Sequence, residues 1–486
     1  MSLLADLGAI QPIHFALIIP AVAAGILVLI PGYRLGSQIN IVSSFLTLLN
    51  ALAIFHTRPE PNYYLFVDDF NIYLVVLTDF ISFTTSAFSA SYLAHEKETG
   101  RLTRGYARFY HAMFQCMILS MNLALLSNSL GLMWVAVEAA TMTTVIMVGI
   151  YRTEAAIRAS WKYFMLTSLA ISLALFGITL IYFTASVTIG SGPAALAWTV
   201  LRDNANLLDP AVLNVAFVFA FVGFGTKVGL VPCHAWLPDA HSEGPTPISA
   251  VLSGLLLNVG LYALLRFKMI IVGNGLALEP GPLMVGVGLV SLLFGSLMLY
   301  RRWDIKRLFS YSSIEHMGLI TFAFGMGGPL ANLAGLLHMV MHSLTKSAIF
   351  FVVGHVAQVK GTQDMAKIRG LTTSHPVIGW LLVVGVISIC GLPPSGLFMS
   401  EFLLITTTFS REPILAVILV LGLLIALGNL IPRLHALAFG VPEGNLEPLK
   451  TAIWPLVLHL GLVLGAGLYL PEPLFAWFQH VAAMLG

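Results

Sequence analysis

The sequence predicts an all-α, polytopic membrane protein of about 14 transmembrane helices: two inverted five-helix repeats with broken seventh and twelfth helices. Three observations predict it. Of 486 residues, 58% are hydrophobic and only 9% charged, against roughly 25% charged in a soluble domain, so lipid must cover most of the surface. Long apolar runs recur along the chain, each near the ~20 residues a helix needs to cross a bilayer. No strand-type alternation competes with them, and a backbone in lipid must satisfy its own hydrogen bonds, which leaves helices. Finally, two runs are too long for one span and are interrupted by proline, one in each half of the chain.

The first three spans run about 14–32, 39–56 and 70–93. No basic segment precedes the first, so it reads as a retained span and not a cleaved signal. The fourth and fifth, 110–128 and 131–150, meet tightly at Ser129, and the sixth covers 161–185. The seventh, 211–240, is interrupted at Pro232. Spans 248–272, 282–300, 308–326 and 331–356 follow. The twelfth, 375–410, breaks at Gly391-Leu-Pro-Pro-Ser-Gly396, which carries Pro393 and Pro394. The last two run 413–440 and 450–470, before a short tail. Gly/Pro-interrupted segments at matching positions of two halves point to an inverted repeat. The expected units are residues 1–109 with helices one to three, 110–273 and 274–440 as the repeats, and 441–486 with the last helix.

Basic residues test the count. Arg34, Lys97, Arg101, Arg104, Arg108, Arg152, Arg158, Lys162, Arg301, Arg302, Lys306, Arg307, Lys360, Lys367, Arg369, Arg433 and Lys450 fall in one set of loops. Only Arg58, Arg202, Arg266, Lys268 and Arg411 fall in the other. The positive-inside rule then puts the first set in the cytoplasm and both termini on the outer face of a cell (inner) membrane.

Several classes are excluded. A net charge of +2 argues against a nucleic-acid partner. Cys116, Cys233 and Cys390 are far apart and form no CxxC pair, so neither an iron–sulfur nor a zinc site is expected. No P-loop, dinucleotide fingerprint, HExxH or nucleophile elbow is present.

The chemistry lies in ionisable groups inside spans, each costing ~2.5–3.5 kcal/mol on insertion scales unless paired or wet. Glu138 sits in the fifth span and Lys227 in the seventh, just before its break. Lys346 lies in the eleventh, and Glu401 just after the break in the twelfth. A buried lysine keeps its proton while a carboxylate stands beside it and gives it up more readily when that charge withdraws. A static ion pair that only fixes packing is the competing reading. His338, His342 and Lys346 stand at i, i+4 and i+8 on one side of a helix. They suit a proton relay, although hydrogen-bonded core histidines would show the same spacing. Haem or metal ligation is a further alternative, though a b-type haem would need a facing histidine on another helix, and no such pairing is evident in the sequence. His234 and His241 flank the exit of the seventh span, as relay groups or loop anchors. Asn258, with Ser249 and Ser253, could hold water or pack helices together. Asp68-Asp69 reads as a solvated flank of the third span.

The segment from Lys227-Val-Gly-Leu-Val-Pro-Cys-His to Pro-Asp-Ala-His-Ser-Glu-Gly-Pro-Thr-Pro247 resembles the signature of the antiporter-like, proton-translocating subunits of respiratory complex I and membrane-bound NiFe hydrogenases. Asp304-Ile-Lys-Arg-Leu-Phe-Ser-Tyr-Ser-Ser and His338 to Lys346 resemble it too, over roughly residues 65–440. The resemblance implies 14 helices with inverted repeats and no cofactor in this chain. It implies partners in the other membrane and hydrophilic subunits of a hydrogenase-4-like or NADH:quinone-oxidoreductase-like complex, whose redox chemistry drives proton movement. It further implies Glu138 and Lys227 as the fifth- and seventh-helix pair, with Lys162 able to compete for Glu138. His338, His342 and Lys346 would be the eleventh-helix relay, and Glu401 the end of the path. Asn258 departs from the pattern, since relatives often place a lysine or histidine there. Ser312-Ser-Ile-Glu315-His-Met-Gly318 is more similar to the hydrogenase branch. A sodium/proton antiporter subunit, an independent solute transporter and a structural anchor for a redox arm remain the alternatives.

Overall fold

Hydroxyl and carboxylate side chains cap the starts of seven α-helices among the described residues. A computed structural model describes residues 11–300, 302–443 and 451–486. Arg301 and Lys450, counted above among the basic loops, lie outside the described residues. After α1 (Pro12–Leu29) and α2 (Tyr33–Thr57), Asp68 caps α3 (Asp69–Glu98), Thr103 caps α4 (Arg104–Leu126) and Ser129 caps α5 (Leu130–Val148). Thr153 caps α6 (Glu154–Thr188) and Asp209 caps α7 (Pro210–Val228). Each cap takes up a main-chain N–H that the first turn leaves without a partner.

The seventh run breaks as its proline suggests. Its second half is the short α8 (Leu237–Glu243), followed by α9 (Thr246–Val272) and α10 (Gly281–Met298). Then come α11 (Ile305–Met326), capped by Asp304, and the 32-residue α12 (Pro329–Lys360). The twelfth run is split into α13 (Pro376–Ile389) and α14 (Gly396–Arg411), with Ser395 capping the second piece. The chain continues through α15 (Pro413–Ala438), α16 (Trp454–Leu468) and α17 (Glu472–Met484).

Among the described residues, 11 helices are long and apolar enough to cross a membrane, or 12 if the pair α16 and α17, bent by 86°, forms one span. The expected tenth, twelfth and fourteenth spans make up the difference. The tenth, α11, is long enough but carries Lys306, Glu315 and His316. The twelfth is two pieces of 14 and 16 residues. The fourteenth, α16, has only 15 residues.

Burial sorts the helices into an axis and a periphery. All of the apolar window of α9 and 94% of that of α12 are buried, against 33% for α1, α2 and α10 and 28% for α15. Polar side chains on α9 and α12 therefore face protein, and the peripheral helices face lipid. Leu252–Leu256 in α9 is a π-helical stretch that ends two residues before Asn258, a distortion that recurs at functional sites.

One expectation is corrected. Asp68 is no solvated flank: its carboxylate meets Arg266 of α9 at 2.7 Å, and Arg266 is fully buried. Four aromatic rings, of Phe66, Phe70, Trp198 and Tyr262, surround that guanidinium at 4.2–4.9 Å. Desolvating a guanidinium is tolerable only with a carboxylate and π faces around it. Asp69 is tied as well, to Arg58 at 2.6 Å and Trp477 at 3.2 Å. Lys268 and Lys306, counted as loop residues, are buried too and donate to main-chain carbonyls of Phe324 and Gly244.

Candidate functional site

The first half places an acid and a base face to face at a helix end. α7 stops at Val228 because Gly229 takes a left-handed φ of 83°, and the Leu230 N–H turns back to the Gly225 carbonyl at 3.0 Å. Trp236 donates its indole N–H to the Thr226 carbonyl at 2.9 Å, satisfying another group freed by the break. Lys227, in that last turn, is fully buried and reaches α5. Its Nζ lies 3.4 Å from Glu138 Oε2 and donates to Thr141 Oγ1. Glu138 and Thr141 are three residues apart, so they share a face of α5. Ser168 of α6 donates to Glu138 Oε1 at 2.6 Å. The Glu138 side chain keeps 16% exposure, at the edge of the bundle.

Lys162 does not reach Glu138 here. Its Nζ is held by Asp239 of α8 at 2.7 Å, and Arg307 of α11 holds the other oxygen of Asp239 at 2.9 Å. His234, in the break, packs on Phe294 with ring centroids 4.5 Å apart. His241 is fully buried and stacked on Phe350 of α12 at 4.9 Å. Neither of its ring nitrogens has a hydrogen-bond partner among the described residues.

Asn258 bridges the halves. Its amide donates to Ser343 Oγ of α12 at 2.7 Å, one residue from His342. Ser253, on the same helix, is 2.7 Å from Ser313 of α11, whereas Ser249 closes onto the His241 carbonyl at 2.9 Å.

The second half gathers imidazoles rather than an ion pair. His338 and His342 of α12 meet His316 of α11, with centroids 5.1 Å and 5.3 Å from that ring. His316 Nδ1 and His338 Nε2 share a hydrogen bond of 2.9 Å, and His338 Nδ1 shares another with Ser400 Oγ of α14, also 2.9 Å. Glu401 follows at once in the chain and is buried, with Oε1 free of hydrogen bonds among the described residues. Its other oxygen rests against Gly391, in the α13–α14 break; φ there is 62°, and any Cβ would collide with the carboxylate. Pro393 and Pro394 fill the rest of that break, as Pro232 does in the first half. Lys346 donates to the Phe309 carbonyl at 2.8 Å, and Glu315, fully buried, lies within electrostatic reach of it.

Sequence reading missed His316 and Glu315 as members of this cluster. The signal was available, because both are ionisable groups in mid-helix, but they were read only as marks of a family branch. His316, His338 and Glu401 bring potential ligand atoms within 4.8 Å of one another. That donor set could hold a borderline cation such as zinc; in this structure hydrogen bonds join the two imidazoles instead.

Residues 127–426 match the family described as NADH:quinone oxidoreductase/Mrp antiporter, TM. The chain is also 55% identical over 463 residues, 95% of its length and 97% of the relative's, to a hydrogenase-4 component F homolog of Methylacidiphilum infernorum. The chain belongs to this antiporter-like membrane family. Its fold is shared by a chain of the archaeal membrane-bound sulfane sulfur reductase, at a TM-score of 0.86, 21% identity and 97% coverage of both. A chain of the Mrp complex of a Dietzia species matches at a TM-score of 0.85 and 19% identity, covering 98% of this chain and 97% of that one. The chain is therefore a multi-span, antiporter-like membrane subunit related to those of redox complexes.

Proposed function

We propose that this chain translocates protons as a membrane subunit of a redox-driven complex of the hydrogenase-4 or NADH:quinone oxidoreductase type, assembled with other membrane and hydrophilic subunits. The observation that carries this reading is the buried Lys227–Glu138 pair at the α7 break. A lysine that far from water is worth its insertion cost only if its charge is used. Glu138 stands at the bundle edge, where a neighbouring subunit's charge can act on it. Drawing Glu138 away loosens the Lys227 proton; restoring it re-arms the lysine.

From Lys227 the proton passes across the Asn258–Ser343 bridge by water to His342. It continues through His316 and His338 to Ser400 and Glu401, with Lys346 holding positive charge nearby. Glu401 discharges at the face opposite the basic loops, which lie in the cytoplasm, leaving both termini outside a cell membrane. Residues 110–273 and 274–440 form the two inverted repeats, each with its broken helix. Lys162, His234 and His241 support the inlet.

The test is redox-driven proton uptake in inside-out vesicles carrying Lys227→Ala, with electron-transfer rate recorded together and assembly checked by blotting. Uptake should collapse while the complex still assembles. Uptake and electron transfer both unchanged would make the lysine a packing partner and favour a structural anchor. Uptake that needs sodium would point to sodium/proton exchange instead.

A further inference from the structure

At the basic-loop end of the bundle, a groove of about 440 Å³ opens between the end of α1, the start of α4 and the end of α5. That volume falls within the ~300–1,000 Å³ of ligand pockets. Nothing in the proton path uses it. Its lining mixes two chemistries. Val28, Phe109 and Ile146 are apolar and 52%, 36% and 46% exposed. Arg108 and Arg152 line the same groove.

Neither arginine has a carboxylate partner among the described residues; the nearest acid in sequence, Glu154, is occupied by Arg158 at 2.6 Å. Two guanidiniums without carboxylate partners on one groove favour an anion there. Arg152 is also held in place. It sits at a left-handed φ of 58°, a backbone state that costs a non-glycine residue energy and persists where the surroundings demand it. Its Nε donates to the Tyr106 hydroxyl at 3.2 Å, and its guanidinium lies 5.6 Å from that ring's centre. Its two terminal NH2 groups have no hydrogen-bond acceptor among the described residues. Gly105 forms part of the groove wall, where an added Cβ would meet only Thr103 Oγ1, at 4.0 Å.

We infer that this groove binds the head of an anionic phospholipid, its phosphate held by Arg108 and Arg152 and its acyl chains lying along Val28 and Ile146. A phosphate diester fits paired guanidiniums through charge-assisted hydrogen bonds. Basic pockets between membrane helices at the head-group level are where such lipids are recognised. A free phosphate ion would share the charge chemistry but would leave the apolar lining of Val28, Phe109 and Ile146 without an occupant.

The full chain, purified in mild detergent and incubated with phosphatidylglycerol or phosphatidylcholine, tests this by native mass spectrometry. Wild type should keep one phosphatidylglycerol under activation that strips phosphatidylcholine. The double variant Arg108→Gln/Arg152→Gln should lose that retention. Gly105→Leu, which fills the groove without changing charge, should lose it as well, and circular dichroism should show both variants folded. Retention that survives both variants would overturn the inference. So would displacement of the lipid by millimolar inorganic phosphate, because a free anion would then be the occupant. If the double variant fails to fold, Gly105→Leu alone decides.

Discussion

The two halves of this bundle bury ionisable groups in different chemical arrangements. In the first, one lysine meets one glutamate, and hydroxyls of Thr141 and Ser168 complete the site. In the second, three imidazoles of α11 and α12 pack together beside Ser400 of α14, and no ion pair within 4.0 Å involves Lys346, Glu315 or Glu401 among the described residues. The first site touches the bundle edge through Glu138; the second is buried throughout. A charge pair at an edge answers to a charge outside. In the proposed path, a cluster of hydrogen-bonded rings would pass a proton onward. Under the proposed function, control would fall to the first half and conduction to the second.

A third buried pair supplies the control for that contrast. Asp68–Arg266 is as deep as Lys227–Glu138 but is caged by aromatic rings and lies outside the proposed path. Asp68→Asn should cost stability by about 3–5 kcal/mol, as when one partner of a buried pair is removed. Any complex that still assembles should pump normally; loss of pumping in stable protein would erase the distinction between static and working pairs. The same pair has a pH signature. Burial alone would raise the Asp68 pKa, but the Arg266 guanidinium and the Asn71 N–H outweigh it and hold the carboxyl below its ordinary value. The folded value is then lower than the unfolded ~3.9. Its contribution is present above that unfolded value and is lost as pH falls through the folded one. Thermal unfolding midpoints of wild type and Asp68→Asn should converge in acid, and a gap that stays constant would contradict the assignment.

Glu138→Gln comes next. It keeps the shape and the Ser168 contact but removes the charge, so redox-driven uptake should fall roughly 100-fold, the low end for loss of a proton-transfer group. His338→Gln should act more mildly, by about tenfold, less than the usual general acid–base loss because His316, His342 and Ser400 remain in place. An effect larger than that of Glu138→Gln would reverse the roles given to the halves. Smallest should be Asn258→Ala. It removes one interhelical hydrogen bond, worth ~0.6 kcal/mol in membranes, and uptake should change by less than threefold if water carries the crossing. A complete block would make the amide itself a link.

Much of this was legible from the chain because hydropathy and proline are one-dimensional signals. The spacing of His338, His342 and Lys346 marks one helix face, and Pro232 and Pro393-Pro394 mark where the two helices break. What stayed hidden depended on distant partners. Arg266 and Asp68 lie 198 positions apart, and nothing local distinguishes a caged arginine from a loop one. Lys162 was expected near Glu138, but Asp239 and Arg307 form a network with it across three helices. His316 and Glu315, although mid-span in α11, stood out only through a family likeness, because the partners that make them part of a cluster lie on other helices. The π-helical stretch before Asn258 has no marker in composition.

The most direct test of a single path through both halves is a double-mutant cycle on proton uptake with Lys227→Ala, His338→Ala and the pair together, in complexes of matched assembly. Steps in series on one path are expected to be non-additive, so the double variant should pump no worse than the more damaged single. Losses that multiply would mean that the two halves carry protons independently, and the relay from Lys227 to Glu401 would have to be abandoned.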